Sequence, residues 1–399
     1  MKKMFAVVAT ALMVSATIAQ AATPAAPVMS MAVKSTKVAN GANWSNDGGR
    51  ELIVDGSNVY AAFHGPNGEP SVIRSTDGGL TWGQPAVLAA DNSSNSIRIT
   101  LTKDPVYTGK KILFATWGAS SGAQMYSYFV DRPTGTTWTA PAQFPWVSPY
   151  GYGIYALGAA PNGTLHIIYD DGTGTYYASA ASAEAAFTTP VQLPWTTSNN
   201  SMTFDSNSNM YVVETHDTVA GPMLSYHKKS AGGTTWSTID VAKSDATYEV
   251  NDNVSIAVYD ANNIYIAFKF YPLTVTNAEN HVWLAATSNG GNSWSKRIVT
   301  PNATVYGTHP SITVNSSKVV TIAAHYVNYG PDGRISINRT SDNGATWSAN
   351  VTVPGNNQAS TALDSTGKVC VLSNSDATID TFLNGSLGSP AALYFSREK

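Results

Sequence analysis

The chain has little charge, one cysteine and no long apolar run. Only 12% of its 399 residues are Asp, Glu, Lys or Arg, and the net charge is −3. So weak and slightly acidic a balance offers no attraction to a phosphate backbone, and nucleic acid is not an expected partner. A single cysteine, Cys370, excludes an internal disulfide framework. It lies in the apolar run 369–372, which predicts a buried, unreactive thiol. The apolar stretch from Phe5 to Ile18 is too short, and followed by too polar a chain, to span a membrane. No metal-ligand spacing, phosphate loop or nucleophile elbow occurs, so neither a metal nor a cofactor is expected.

What is present near the start reads as an export signal over residues 1–21. Lys2 and Lys3 precede the apolar stretch, and Ala19-Gln20-Ala21 offers small residues to a signal peptidase. No cysteine stands near that point to carry a lipid anchor, so a periplasmic or extracellular protein without a membrane anchor is expected. Residues 22–30, with Thr-Pro-Ala-Ala-Pro, are expected to form a disordered linker, and 31–399 a single domain. The 32 Gly, 20 Tyr and 10 Trp suit an extracellular all-β protein.

A repeat decides the fold class. Ser75-Thr-Asp77-Gly-Gly79-Leu-Thr81-Trp82 and Thr340-Ser-Asp342-Asn-Gly344-Ala-Thr346-Trp347 share one pattern, and Thr287-Ser-Asn289-Gly-Gly291-Asn-Ser293-Trp294 departs from it only slightly. Eroded copies end at Trp138 and Trp236, and a last trace surrounds Phe187. Anchoring aromatics thus recur every 49 to 58 residues, the length of a four-stranded propeller blade. In each copy Asp and Ser side chains can accept turn N–H groups while Gly supplies positive φ. Asp77 and Asp342 are therefore read as turn-formers rather than catalytic acids.

Upstream of each turn lie two alternating apolar runs joined by a polar turn, such as 52–55 with 59–63 and 202–205 with 210–213. These predict the inner strands of each blade. A seventh pair, 361–364 with 368–372, follows the last turn. The expectation is an all-β protein, a single β-propeller of four-stranded antiparallel blades, with seven blades favoured and six as the alternative. The ring would close through a strand at 391–395 or at 31–37.

The turn pattern, its spacing and the export signal resemble the Asp-box (BNR) propellers of the sialidase superfamily over nearly the whole mature chain. That resemblance implies three arginines gripping a carboxylate, a Glu-activated Tyr nucleophile and an Asp acid/base. Arg50 stands where the first arginine belongs, but in the setting Arg50-Glu51-Leu52 rather than Arg-Ile-Pro. No arginine occurs between Arg132 and Arg297. The triad is not supported, and true sialidase activity is not expected.

Topology sorts the loops. If the repeated turn joins third and fourth strands, it shares one face with the first hairpin turn. Loops between second and third strands, and between blades, then share the opposite face. Five of the seven histidines fall on that loop face, the exceptions being His166 and His227. Candidate catalytic groups there are His64, His216, His309, His325, Tyr248, Glu249, Asp252 and Asp170, because His, Tyr and paired carboxylates perform general acid/base work on glycans. Candidate substrate-binding groups are Arg50, Arg98, Trp117, Tyr152, Trp195, Tyr271, Tyr306 and Arg334, since rings stack on sugar faces and guanidinium groups bind acidic substituents. The expected function is recognition of a glycan or polysaccharide at one axial site by a monomeric, exported propeller. A glycoside hydrolase or polysaccharide lyase, and a protein-interaction scaffold, stand as alternatives.

Overall fold

Period-two alternation of apolar side chains makes short, half-buried strands. The computed structural model consists of such strands, with no helix among its described residues. These are residues 36–40 and 52–397, with interruptions at 66, 91–96, 120, 122, 146–152, 198, 220, 245–247, 273–280, 300–305, 328–333, 349–350, 353–367, 374–378 and 386–391. The molecule is an all-β propeller. Six blades are continuous in sequence, spanning 52–87, 98–143, 154–192, 199–243, 248–298 and 306–352. Each is an antiparallel meander whose first strand lies innermost; blade 2 adds a fifth strand, Gly135–Trp138, beside its third.

A seventh sheet joins the two ends of the chain. Lys368–Ser373, Ile379–Gly385 and Ala392–Arg397 pair in order, and Thr36–Asn40 adds the outermost strand. Of the stretches expected to supply the closing strand, 391–395 is matched by Ala392–Arg397; the N-terminal strand begins at Thr36, and 31–35 lie outside the described residues. Lys368–Ser373 pairs with Ile379–Gly385; its expected hairpin partner, 361–364, lies outside the described residues. The first strands of the six blades touch one another in sequence order, and Lys368–Ser373 touches both Tyr306–Val314 and Leu52–Asp55.

The core lies in the seams between blades. One cluster, Val213, Leu224, Val250, Ile256, Ile266 and Phe268, fills the seam between blades 4 and 5. Another, Phe114, Phe144, Leu157, Ile167 and Tyr169, fills that between blades 2 and 3. Each such side chain contributes roughly 1.5–3 kcal/mol of burial free energy. Hydroxyls also tie inner strands across seams: Ser201 Oγ accepts the Ile256 N–H (3.4 Å) and Ser255 Oγ that of Ile312 (3.3 Å).

The repeated turns are built as their chemistry requires. Ser75 Oγ accepts the Gly79 N–H at 2.8 Å and donates to Asp77 Oδ1 at 2.7 Å. Asp77 accepts the Thr81 N–H at 2.9 Å and its hydroxyl at 2.5 Å, bonds from Thr81 that chiefly hold its carboxyl down to about 2. Gly79 adopts φ +89°, which a side chain rarely tolerates. Gly78 N–H donates to Ser57 O at 2.8 Å and Gly290 N–H to Asn262 O at 3.0 Å. Those bonds put the repeated turn beside the first hairpin turn, and so leave the remaining loops on the other face.

Candidate functional site

On the loop face, blade 4 presents a linked set of ionisable groups. Its second strand, Met210–His216, alternates so that Val212, Glu214 and His216 share one side. Register places Ser225 beside Glu214 and His227 beside Val212 on the third strand, Met223–Lys229. All of these face blade 3. Glu214 is fully buried, and such a carboxylate is stable only if its oxygens are satisfied. His216 Nδ1 lies 2.9 and 3.1 Å from its two oxygens, and His227 Nε2 lies 3.1 Å from Oε1.

Because a carboxylate only accepts, both imidazoles donate to it. His227 Nδ1 is hydrogen-bonded to the Thr238 hydroxyl at 2.9 Å. Trp195, from the connection between blades 3 and 4, stacks on His227 with centroids 3.7 Å apart and planes 9° apart. His227 is held on every side, whereas the His216 side chain keeps 21% of its surface exposed. The Glu214 hydrogen bond raises the His216 pKa; burial opposes it, and the charges of Glu214, Asp240 and Asp217 add to it. His216 opens with Trp195, Thr196, Gln192 and Thr173 onto a cavity of about 680 Å³. Such a cleft offers an imidazole, hydroxyls, an amide and an indole.

The other sequence candidates are placed as follows. Arg98 is buried, and its guanidinium donates to the Ile154 carbonyl, tying the inner strands of blades 2 and 3. Trp117 is 1% exposed in the seam between blades 1 and 2, where its ring packs as core. Asp170 ends the second strand of blade 3 and accepts the Gly172 N–H at 2.7 Å, shaping its own loop. His64 ends the second strand of blade 1, half-buried, and Glu249 lies half-buried on the first strand of blade 5. Arg50 and Tyr152 lie outside the described residues. Tyr248, Asp252, Tyr271, Tyr306, His309, His325 and Arg334 lie on strands whose side chains there are not described. Of the candidates, the fold brings together His216 and Trp195.

Sequence reasoning missed Glu214, His227 and Asn200. Asn200, the second residue of the first strand of blade 4, lies opposite Glu214; it is 4% exposed, and neither side-chain polar atom has a partner among the described residues. A readable signal existed for Glu214, an acid inside the apolar alternation Met210-Tyr-Val-Val-Glu214. Among the described residues no group of three or more His, Cys, Asp or Glu could hold a metal ion, and no helix is long and apolar enough to cross a membrane.

No protein-family model matches the chain, and no curated protein matches its sequence. Solved structures do resemble its fold. An ulvan lyase of a polysaccharide lyase family, bound to -[GlcA(1-4)Rha3S]-, aligns with a TM-score of 0.59 at 11% identity, over 92% of this chain and 96% of its own. A second structure of an ulvan lyase gives 0.60 at the same identity and coverage. A protein of unknown function from Dyadobacter fermentans gives 0.52 at 13% identity, over 90% of this chain and 98% of its own. At such identity the likeness establishes the fold: this chain is a β-propeller.

Proposed function

We propose that this chain is an exported, carbohydrate-recognising propeller that holds a glycan on its loop face, in the cleft headed by His216. The seventh sheet is taken as the blade that closes the ring, in the manner of sialidase-superfamily propellers. The observation that carries this reading is the Glu214–His216 pair beside Trp195 at the mouth of a cavity. A partly exposed imidazole whose charged form a buried carboxylate favours suits acidic or hydroxyl-rich sugars, and an indole suits their C–H faces. A fold of this kind carries a saccharide in the ulvan lyase, which was solved bound to one. Sialidase chemistry is not part of the proposal, because the arginine triad is missing from the sequence.

Degradation of the bound glycan is the second reading, favoured by the same pair. Glu214 fixes the imidazole through Nδ1 and leaves Nε2 as the atom able to give or take a proton. Binding of the mature chain, from Ala22 onward, to a glycan array would be followed by mass spectrometry of the ligands it retains. Unchanged glycans support recognition alone, whereas shortened or unsaturated products support the enzyme. His216→Ala is expected to weaken binding at least tenfold if the imidazole donates a charged hydrogen bond. Equal binding by that variant would overturn the placement of the site. N-terminal sequencing of the chain recovered outside the cytoplasm tests the export signal, with Ala22 the expected first residue.

A further inference from the structure

The seam between blades 3 and 4 opens a second time, toward the other face. Register makes the comparison strict. In blades 1, 5 and 6 the residue opposite the start of the second strand is Ser75, Thr287 or Thr340, the hydroxyl that accepts the turn's Gly N–H. In blade 4 that place belongs to Lys229, opposite Met210. Two residues on, where the other turns have Asp77, Asn289 or Asp342, stands Ala231. A structural turn has exchanged its hydroxyl for an ammonium and lost its carboxylate.

The exchange leaves space. In blade 5, Gly291 lies so close to Tyr226 of blade 4 that an added Cβ would sit 2.8 Å from the ring. Its equivalent in blade 4, Gly233, meets only its own turn at Ser230, although Tyr177 of blade 3 holds the place of Tyr226. Between them runs a groove of about 610 Å³, lined by Tyr177, Trp236, Lys229, His166 and the hydroxyls of Thr188 and Thr234, with no acidic side chain. Lys229 is half-buried, its ammonium 5.2 Å from the Tyr177 ring centroid and without a carboxylate partner among the described residues. Burial lowers its pKa, as for a cation lacking a counter-ion. His166 Nδ1 is bonded to the Tyr177 hydroxyl at 2.8 Å and adds no charge at neutral pH, its pKa having been lowered to about 4 by burial and by Lys229.

From this geometry we infer that the groove is a second saccharide subsite, taking an acidic sugar whose carboxylate or sulfate pairs with Lys229 while its ring rests on Trp236. The groove and the His216 cleft share Gln192, Leu193 and Pro194 as a common wall, so one chain can reach both. The inference rests on the glycan reading above for the kind of ligand; the cation and the groove are independent of it. The test uses the whole mature protein and a uronate oligosaccharide of four or more units, beside its carboxyl-reduced form. The acidic chain is expected to protect Lys229 from acylation, read by mass spectrometry, while the reduced form does not.

Lys229→Met is expected to weaken binding of the acidic chain about tenfold and leave the reduced chain unaffected. Lys229→Arg, which keeps the charge, is expected to retain affinity and to show that the seam still folds. Unprotected Lys229 and unchanged affinity in Lys229→Met would overturn the subsite. If His216→Ala still weakens binding in that event, the loop-face reading survives alone. Protection of Lys229 that persists in a His216→Ala protein with unchanged affinity would sink the loop-face cleft and keep the groove.

Discussion

The seams on either side of blade 4 are built from the same strand positions and each holds an apolar cluster, but they differ in the ionisable groups beside it. Toward blade 5, blade 4 presents Tyr211, Val213, Leu224 and Tyr226, met by Ile256, Ile266 and Phe268. Toward blade 3 it presents Glu214, His216, His227 and Lys229, met by Trp195, His166 and Tyr177. The seam toward blade 5 closes until a Cβ at Gly291 would meet the Tyr226 ring, whereas the seam toward blade 3, with Met210 and Val212 against Ile168 at its middle, keeps a cavity at each end. Buried polar groups need directed partners and leave space where these run out, whereas apolar side chains fill whatever volume is offered. One blade thus packs against both neighbours through apolar clusters and keeps its open, ionisable positions on one side.

The comparison breaks most readily at Glu214. Replacing it with Leu strands two imidazoles against an apolar side chain, and a loss of about 4 kcal/mol is expected from urea denaturation at an unchanged m-value. A loss below about 1 kcal/mol would show that the network contributes little. Acid is the next lever. His166 resists protonation until about pH 4, while the unfolded chain takes up its proton near pH 6.5. Stability from this group is therefore complete above pH 6.5 and falls by about 3 kcal/mol toward pH 4, a limb that His166→Phe should flatten. His216 acts in the opposite sense. Its raised pKa adds stability below the ordinary histidine value and loses it as pH rises through the raised one.

Glycine substitutions compare the seams directly. Gly291→Ala drives a methyl into Tyr226 at φ +98° and should cost about 2 kcal/mol, while Gly233→Ala should cost clearly less, both read from thermal melts. Equal costs would mean that the two seams are closed alike. The smallest effect has the opposite sign. The Tyr226 hydroxyl is buried without a partner among the described residues, so Tyr226→Phe is expected to stabilise by about 1 kcal/mol in the same assay.

Legibility followed the range of the interactions. The turns at Ser75, Thr287 and Thr340 were readable because each bonds within five residues of itself. Inner strands such as Asn58–His64 and Met210–His216 were readable from alternation. Trp117 and Arg98 were harder, for an indole or guanidinium at a strand end can turn to solvent or to the next blade. Both turned inward, to a seam and to the Ile154 carbonyl. His227 falls outside the loop-face histidines, yet Glu214 reaches it from the adjacent strand.

By itself, then, the sequence determined the class of fold, the length of its blades, the turns that punctuate them and which loops share a face. These follow from local bonding and from a period of two, and neither requires knowledge of what lies across a seam. Tertiary structure alone decided that both chain ends share one sheet, that Glu214 joins two histidines, and that Lys229 faces an open groove. Each depends on side chains brought together from strands or blades whose spacing no local pattern encodes.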